Sequence, residues 1–259
     1  MLPQKVLAEI KTNRQRYVAE LTDFLRIPSV STDSEYAENT RQSAEWVVNK
    51  LKKLGFKTEL RETAGHPAVC GHLVSDASLP TLLIYGHYDV QPPDPIDEWV
   101  TPPFSPDIRD GYIYARGATD NKGQCLTYLE AMEAILAVNG KLPLNVKVLV
   151  EGEEEIGSPN LGPFLQANLD ELKTDVIAIS DGSQFAPDIP AITYGLRGLA
   201  YLEVGVQGPR FDLHSGSFGG LVANPVQVLS EMLAQLKNED GTVAIPNFYD
   251  DVRELESRE

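Results

Sequence analysis

The 259-residue chain predicts an α/β fold: a mixed sheet flanked by helices, followed by the start of a smaller α+β domain. Three observations carry that expectation. Short apolar runs of buried-strand type alternate with stretches whose apolar residues recur at helical spacing. Three of those runs end directly in polar, ionisable residues, the arrangement by which open α/β sheets present a ligand crevice. After about Tyr194 the texture shifts to glycine-punctuated segments, so a boundary near Gly195 is expected, dividing the chain into 1–194 and 195–259.

Leu7, Ile10, Tyr17, Leu21 and Phe24 predict a first amphipathic helix. Ala44, Val47, Val48, Leu51 and Leu54 predict a second, which Gly55 is placed to end. Phe56, Thr58 and Leu60 alternate like a strand, and Val69 to Val74 and Thr81 to Tyr85 read as further strands. Residues 92–106 hold six prolines together with Trp99 and Phe104, which predicts an ordered loop rather than a flexible linker. Asp110-Gly111 signals a hairpin. A helix is expected from Asn121 to Val138, stopped by Asn139-Gly140, then a strand over Leu144 to Val150. A short helix over Leu161 to Leu169 and a strand over Val176 to Ser180 complete the alternation. The segment from Tyr194 to about Pro209 reads as strands, and Asn224-Pro225 caps a helix with Val226, Leu229, Met232, Leu233 and Leu236 on its apolar face.

The charge balance of 22 Lys+Arg against 38 Asp+Glu, a net charge of −16, argues against nucleic acid and anionic membrane as partners, since both select a basic surface. The N-terminal residues lack the apolar run of a signal peptide, and no stretch approaches the roughly 18 apolar residues needed to span a bilayer, so a soluble, cytoplasmic protein is expected. Cys70 and Cys125 have no metal-type pair spacing and read as reduced, partly buried small side chains rather than halves of a disulfide.

The chemistry is expected at the strand ends. Thr81 to Tyr85 runs into Gly86-His87-Tyr88-Asp89, Leu144 to Val150 into EGEEEIGS, and Val176 to Ser180 into Asp181-Gly182, while GATDNKGQ offers Asp120 just before a helix. One histidine among several carboxylates suits a divalent cation better than a nucleophile triad, and no Gly-x-Ser-x-Gly is present. Taken singly, each piece has an ordinary structural reading: an acidic run such as Glu151 to Glu155 is usually a solvated loop.

Together, GHYDVQP at 86–92, RGATDNKG at 116–123, EGEEEIGS at 151–158, ISDG at 179–182 and DLHSGSFGG at 212–220 resemble the dinuclear zinc hydrolases. That family includes carnosinase, aminoacylase, glutamate carboxypeptidase and succinyl-diaminopimelate desuccinylase. The chain is most similar to the dipeptidase branch, from FLRIPSVS at 24–31 to about Pro225. The resemblance implies a zinc-exopeptidase-like catalytic domain, the beginning of a lid and dimerisation domain, and two Zn2+, with manganese or cobalt also accepted by such donors. It implies that His87 and Asp181 bind one metal, that Asp120 bridges both, and that Glu155 binds the second. Asp89 is implied to orient His87, and Glu154 to act as the general base that takes a proton from the attacking water. His214 is implied to be the lid histidine that reaches the neighbouring subunit's site in a homodimer and helps hold the oxyanion. A cis peptide is expected after Asp120.

Relatives of this branch have a second metal-binding histidine and a substrate-binding arginine beyond the lid helix, and no histidine follows His214 here, so a fragment, a truncated reading frame or one part of a split protein is expected. The implied activity is hydrolysis of dipeptides. The alternatives are an N-acyl amino acid deacylase or carboxypeptidase using the same site, and a non-catalytic metal-binding or dimerising remnant.

Overall fold

The computed structural model describes residues 4–179 and 181–253, and the chain separates into two compact units, Met1–Thr193 and Tyr194–Glu259. Ser180, expected in the last strand of the first unit, lies outside the described residues.

The first unit opens with helices α1 (Gln4–Leu25) and α2 (Ala37–Lys53). Helix α2 stops at Leu54, and Gly55 follows with φ +85°, the left-handed step that glycine takes without strain. Strands β1 (Lys57–Arg61), β2 (Ala68–Leu73) and β3 (Thr81–His87) come next. A small hairpin, β4 (Asp107–Arg109) and β5 (Tyr112–Tyr114), turns on Asp110 and Gly111, both at positive φ as the Asp-Gly signal requires. Helix α3 (Lys122–Asn139) ends on Gly140 at φ +70°, and β6 (Asn145–Glu151) returns to the sheet. The single short helix expected near 161–169 is broken at Asn168 into α4 (Leu161–Ala167) and α5 (Leu169–Leu172), before β7 (Val176–Ile179).

The main sheet has the order β1-β2-β6-β3-β7. β1, β2 and β6 pair antiparallel in turn, whereas β6, β3 and β7 run parallel, with Gly86 opposite Val150 and His87 opposite Glu151. Alternation along the strands sorts their side chains onto two faces. Val69, Ile84, Val146, Val148 and Val150 pack with Phe24 of α1, Ala44, Val47 and Leu51 of α2, and Leu126, Leu129 and Met132 of α3. Ala68, Cys70, Leu83 and Leu149 face the other way, against Phe164 of α4 and Leu172 of α5. Each fully buried aliphatic contributes about 1.5–3 kcal/mol, so this three-layer sandwich is the main source of the unit's stability. Both cysteines are buried and unpaired.

In the second unit, helices α6 (Ser215–Phe218) and α7 (Pro225–Ala234) form. Asn224 caps α7 by accepting from Val226 N at 3.0 Å. The strands expected after Tyr194 are absent: among the described residues no ladder runs through 194–209, and Leu196 and Leu199 are each 93% exposed. Strand propensity is realised only when a neighbouring strand accepts the backbone hydrogen bonds, and among the described residues no strand forms a ladder with this segment.

Candidate metal centre

Because β6, β3 and β7 are parallel, their carboxyl ends lie side by side, and the polar residues that follow them meet in one place. His87 is the last residue of β3 and is fully buried. Its Nε2 stands 3.1 Å from Asp120 Oδ1, 3.7 Å from Asp181 Oδ2 and 3.9 Å from Glu154 Oε2. Asp181 follows β7, and Glu154 and Glu155 sit on a 3-10 turn (Glu154–Ile156) after β6. Asp120 precedes α3, and the Asp120–Asn121 peptide is cis.

The floor of the cluster is closed and its mouth is open: His87 and Asp89 are 0% exposed, whereas the Asp120 side chain is 58% exposed. Asp89 does two jobs from below. It lies against Nδ1 of His87, with its carboxylate at 3.3 Å and its backbone oxygen at 3.1 Å, which leaves Nε2 to face the carboxylates. Its two carboxylate oxygens also accept the backbone N–H groups of Glu154 at 3.3 Å and Glu155 at 3.1 Å, holding the acidic turn in register with the histidine.

Burial alone would pull the His87 pKa down, but Asp89, Glu154 and Asp181 outweigh it and raise it to about 9. Burial raises the Glu154 carboxyl above the ordinary range, and the charges of Glu155, Asp181 and Asp89 push the same way. Glu155 is raised by burial and by Asp120, against the hydrogen bond from Gln91. Among the described residues no lysine or arginine pairs with Asp120, Glu154, Glu155 or Asp181. An imidazole facing several carboxylates, none of them paired with a lysine or arginine among the described residues, fits a divalent metal. Two ligand sets lie within reach of such an ion, His87 with Asp120 and Asp181, and His87 with Glu154 and Glu155.

The remaining candidate, His214, belongs to the second unit, where it precedes α6 and is exposed. Neither His66 nor His72 joins the centre: His66 Nε2 lies 3.3 Å from Ser31 O, and His72 pairs with Glu171 at 2.7 Å. Trp99 packs in its loop, its Nε1 donating to Pro93 O at 2.7 Å.

Two acidic residues of EGEEEIGS have a part that the sequence reading missed. Glu151 and Glu153 are not solvated but 4% exposed each. Glu151 accepts from Tyr85 and from Ser158 Oγ, and Glu153 accepts from Asn160 Nδ2 at 2.9 Å and from His66 N at 3.2 Å. The available signal was the pair Ser158 and Asn160 just downstream, two short donors able to fold back on the run.

A profile of the peptidase family M20/M25/M40 matches residues 83–245. Among curated proteins, the Cys-Gly metallodipeptidase dug1 of Schizosaccharomyces pombe is 36% identical over 97% of this chain and 56% of its own length. The Beta-Ala-His dipeptidase of Homo sapiens is 33% identical over 100% of this chain and 54% of its own. Of solved structures, the di-peptidase Dug1p from Saccharomyces cerevisiae superposes with a TM-score of 0.77 at 29% identity, covering 98% of this chain and 57% of that one. The M20 family metallo-carboxypeptidase Sso-CP2 from Sulfolobus solfataricus gives 0.71 at 40% identity, covering 93% and 54%. The chain spans about half the length of the curated relatives it matches. No helix among the described residues is long and apolar enough to cross a membrane.

Proposed function

Given that the chain belongs to peptidase family M20/M25/M40, we propose that it carries the metal-binding half of a metallodipeptidase that hydrolyses the peptide bond of unsubstituted dipeptides. The observation that carries this reading is the convergence of Asp120, Glu154 and Asp181 on the buried Nε2 of His87, at the carboxyl ends of three adjacent parallel strands.

In this proposal His87 and Asp181 would hold one zinc and Glu155 a second, with Asp120 a ligand shared between them. A pair of divalent ions supplies Lewis acidity and an acidified water when bound. The chain's own residues do the rest. Asp89 fixes the tautomer and tilt of His87, so that the free ring nitrogen is the one turned to the ligands. Glu154, with its pKa raised by burial and by neighbouring carboxylates, is basic enough to take the proton of the attacking water and pass it to the leaving amine. Residues 1–194 form the catalytic part, and 195–259 begin a lid through which the full-length protein dimerises and His214 reaches the partner's oxyanion.

The test uses the full-length parent and a substrate panel. Cleavage of dipeptides with retained metal and lost turnover in Glu154→Gln is the expected result; a Glu154→Gln enzyme with full activity refutes the assignment. A second reading, a carboxypeptidase or N-acyl amino acid deacylase, is favoured by the likeness to the Sulfolobus metallo-carboxypeptidase, and preference for longer peptides or acylated amino acids selects it. One tight metal per chain with no turnover under any supplement would mark a non-catalytic remnant.

A further inference from the structure

Lys122, the first residue of α3 and two positions after Asp120, is fully buried. A lysine is almost never enclosed without partners, because its head group loses hydration. Its Nζ donates to the carbonyl oxygens of Ile27 at 2.7 Å and Phe24 at 3.2 Å, 4.8 Å from the centre of the Phe24 ring. Those carbonyls belong to the end of α1 and the turn after it, where Phe24 O also accepts from Ile27 N at 3.3 Å and Ile27 O from Ser29 N at 2.9 Å.

The same turn is fastened to the opposite side of the metal centre. Ser29 Oγ donates to Tyr88 O at 2.7 Å, Val90 N donates to Ser29 O at 2.9 Å, and Val30 bridges to Val90. Tyr88 and Val90 flank Asp89. Segment 24–30 therefore ties the chain that carries His87 and Asp89 to the chain that carries Asp120. A direct tie runs alongside it, Asn121 Oδ1 accepting from His87 N at 3.3 Å.

We propose that Lys122 is a positioning residue: by gripping the carbonyls of Phe24 and Ile27 it sets the separation of His87 and Asp120, and through it the affinity of the centre for a divalent cation. The proposal rests on the reading of His87 and Asp120 as metal ligands. It predicts a sign that electrostatics alone does not. Removing a cationic side chain beside a cation site leaves metal binding equal or tighter by Coulomb's law, whereas removing a brace weakens it.

The experiment titrates the 259-residue chain with Co2+, followed by its visible absorption, and with Zn2+ in competition with a chromophoric chelator. Near-UV circular dichroism of each variant reports its fold. Lys122→Met keeps the length and apolar stem but removes the donors. It is expected to bind metal about 10- to 100-fold more weakly with an altered Co2+ spectrum. Ser29→Ala, which loosens the other end of the same turn and leaves the lysine in place, is expected to shift affinity in the same direction by less. A folded Lys122→Met that binds as tightly as the parent or tighter overturns the proposal. If that variant does not fold, Ser29→Ala decides, and unchanged affinity overturns it. Failure of the unaltered chain to bind either ion refutes the metal-centre reading itself, and with it this inference.

Discussion

Gly152 separates the end of β6 from the acidic turn, and a Cβ there would strike the phenol of Tyr88. Tyr88 is fully buried with its hydroxyl on Pro67 O, so it cannot yield. Gly152→Ala is expected to cost about 1–3 kcal/mol by overpacking, read as a lower urea midpoint with unchanged slope. At Asp89, a substitution to Asn keeps the shape but offers an amide N–H to a backbone N–H that needs an acceptor. Metal affinity by calorimetry should fall about 10- to 100-fold, with the acidic turn released from the histidine. The convergence of His87, Asp120, Glu154 and Asp181 was legible in the sequence because each follows an apolar strand run or precedes a helix, where topology carries chain segments to one crevice. Lys122, Glu151 and Glu153 were not, because nothing in a run of charges says which members turn inward. That choice is made by partners distant in sequence, such as Ile27 for Lys122 and His66 for Glu153.

At the scale of elements, α1, α2 and α3 are joined by a cluster of charges. Lys50 of α2, only 4% exposed, pairs with Glu20 of α1 and Glu133 of α3, and Arg16 of α1 pairs with the same two carboxylates. Glu130 of α3 is the third carboxylate facing these two cations, near Tyr17. Burial raises its pKa from 4.5 to about 7, with Glu20 and Glu133 adding to the shift and Lys50 and Arg16 opposing it. An acid whose folded pKa is raised favours the folded state while protonated, so its contribution is full below about pH 4.5 and is lost as pH rises through about 7. Glu130→Gln should therefore gain stability over the parent at pH 8 and not at pH 4, by about 1–2 kcal/mol after screening at this half-buried position. Paired urea unfolding at the two pH values checks it, and an equal difference at both removes the assignment. Helices and strands of the first unit were readable from periodicity and glycine stops. The second unit was readable only where structure is local: the Asn224 cap and α7 formed, whereas the strands after Tyr194 need a partner that no pattern within the segment can supply.

For the whole molecule, the uncovered surface sets behaviour in solution. Among the described residues β7 is an edge of the main sheet, and its Val176, Ile177 and Ile179 are 59, 57 and 62% exposed, so it presents apolar side chains along a sheet edge. The second unit adds Leu196, Leu199 and Tyr201, each at least 88% exposed. The 259-residue chain is expected to bind a hydrophobic dye and to sediment with concentration-dependent mass, and Ile177→Lys should shift it toward monomer without loss of helical signal. Sedimentation that is independent of concentration in both forms contradicts this.

His87 and the carboxylates around it come from four stretches of chain, each useless as a ligand set by itself. An ion seated among them is therefore a cross-link that exists only while the sheet is assembled. Occupancy becomes a thermometer of folding: each tenfold rise in free ion above the dissociation constant adds about 1.4 kcal/mol to unfolding. A chelator would then act on this chain as a denaturant.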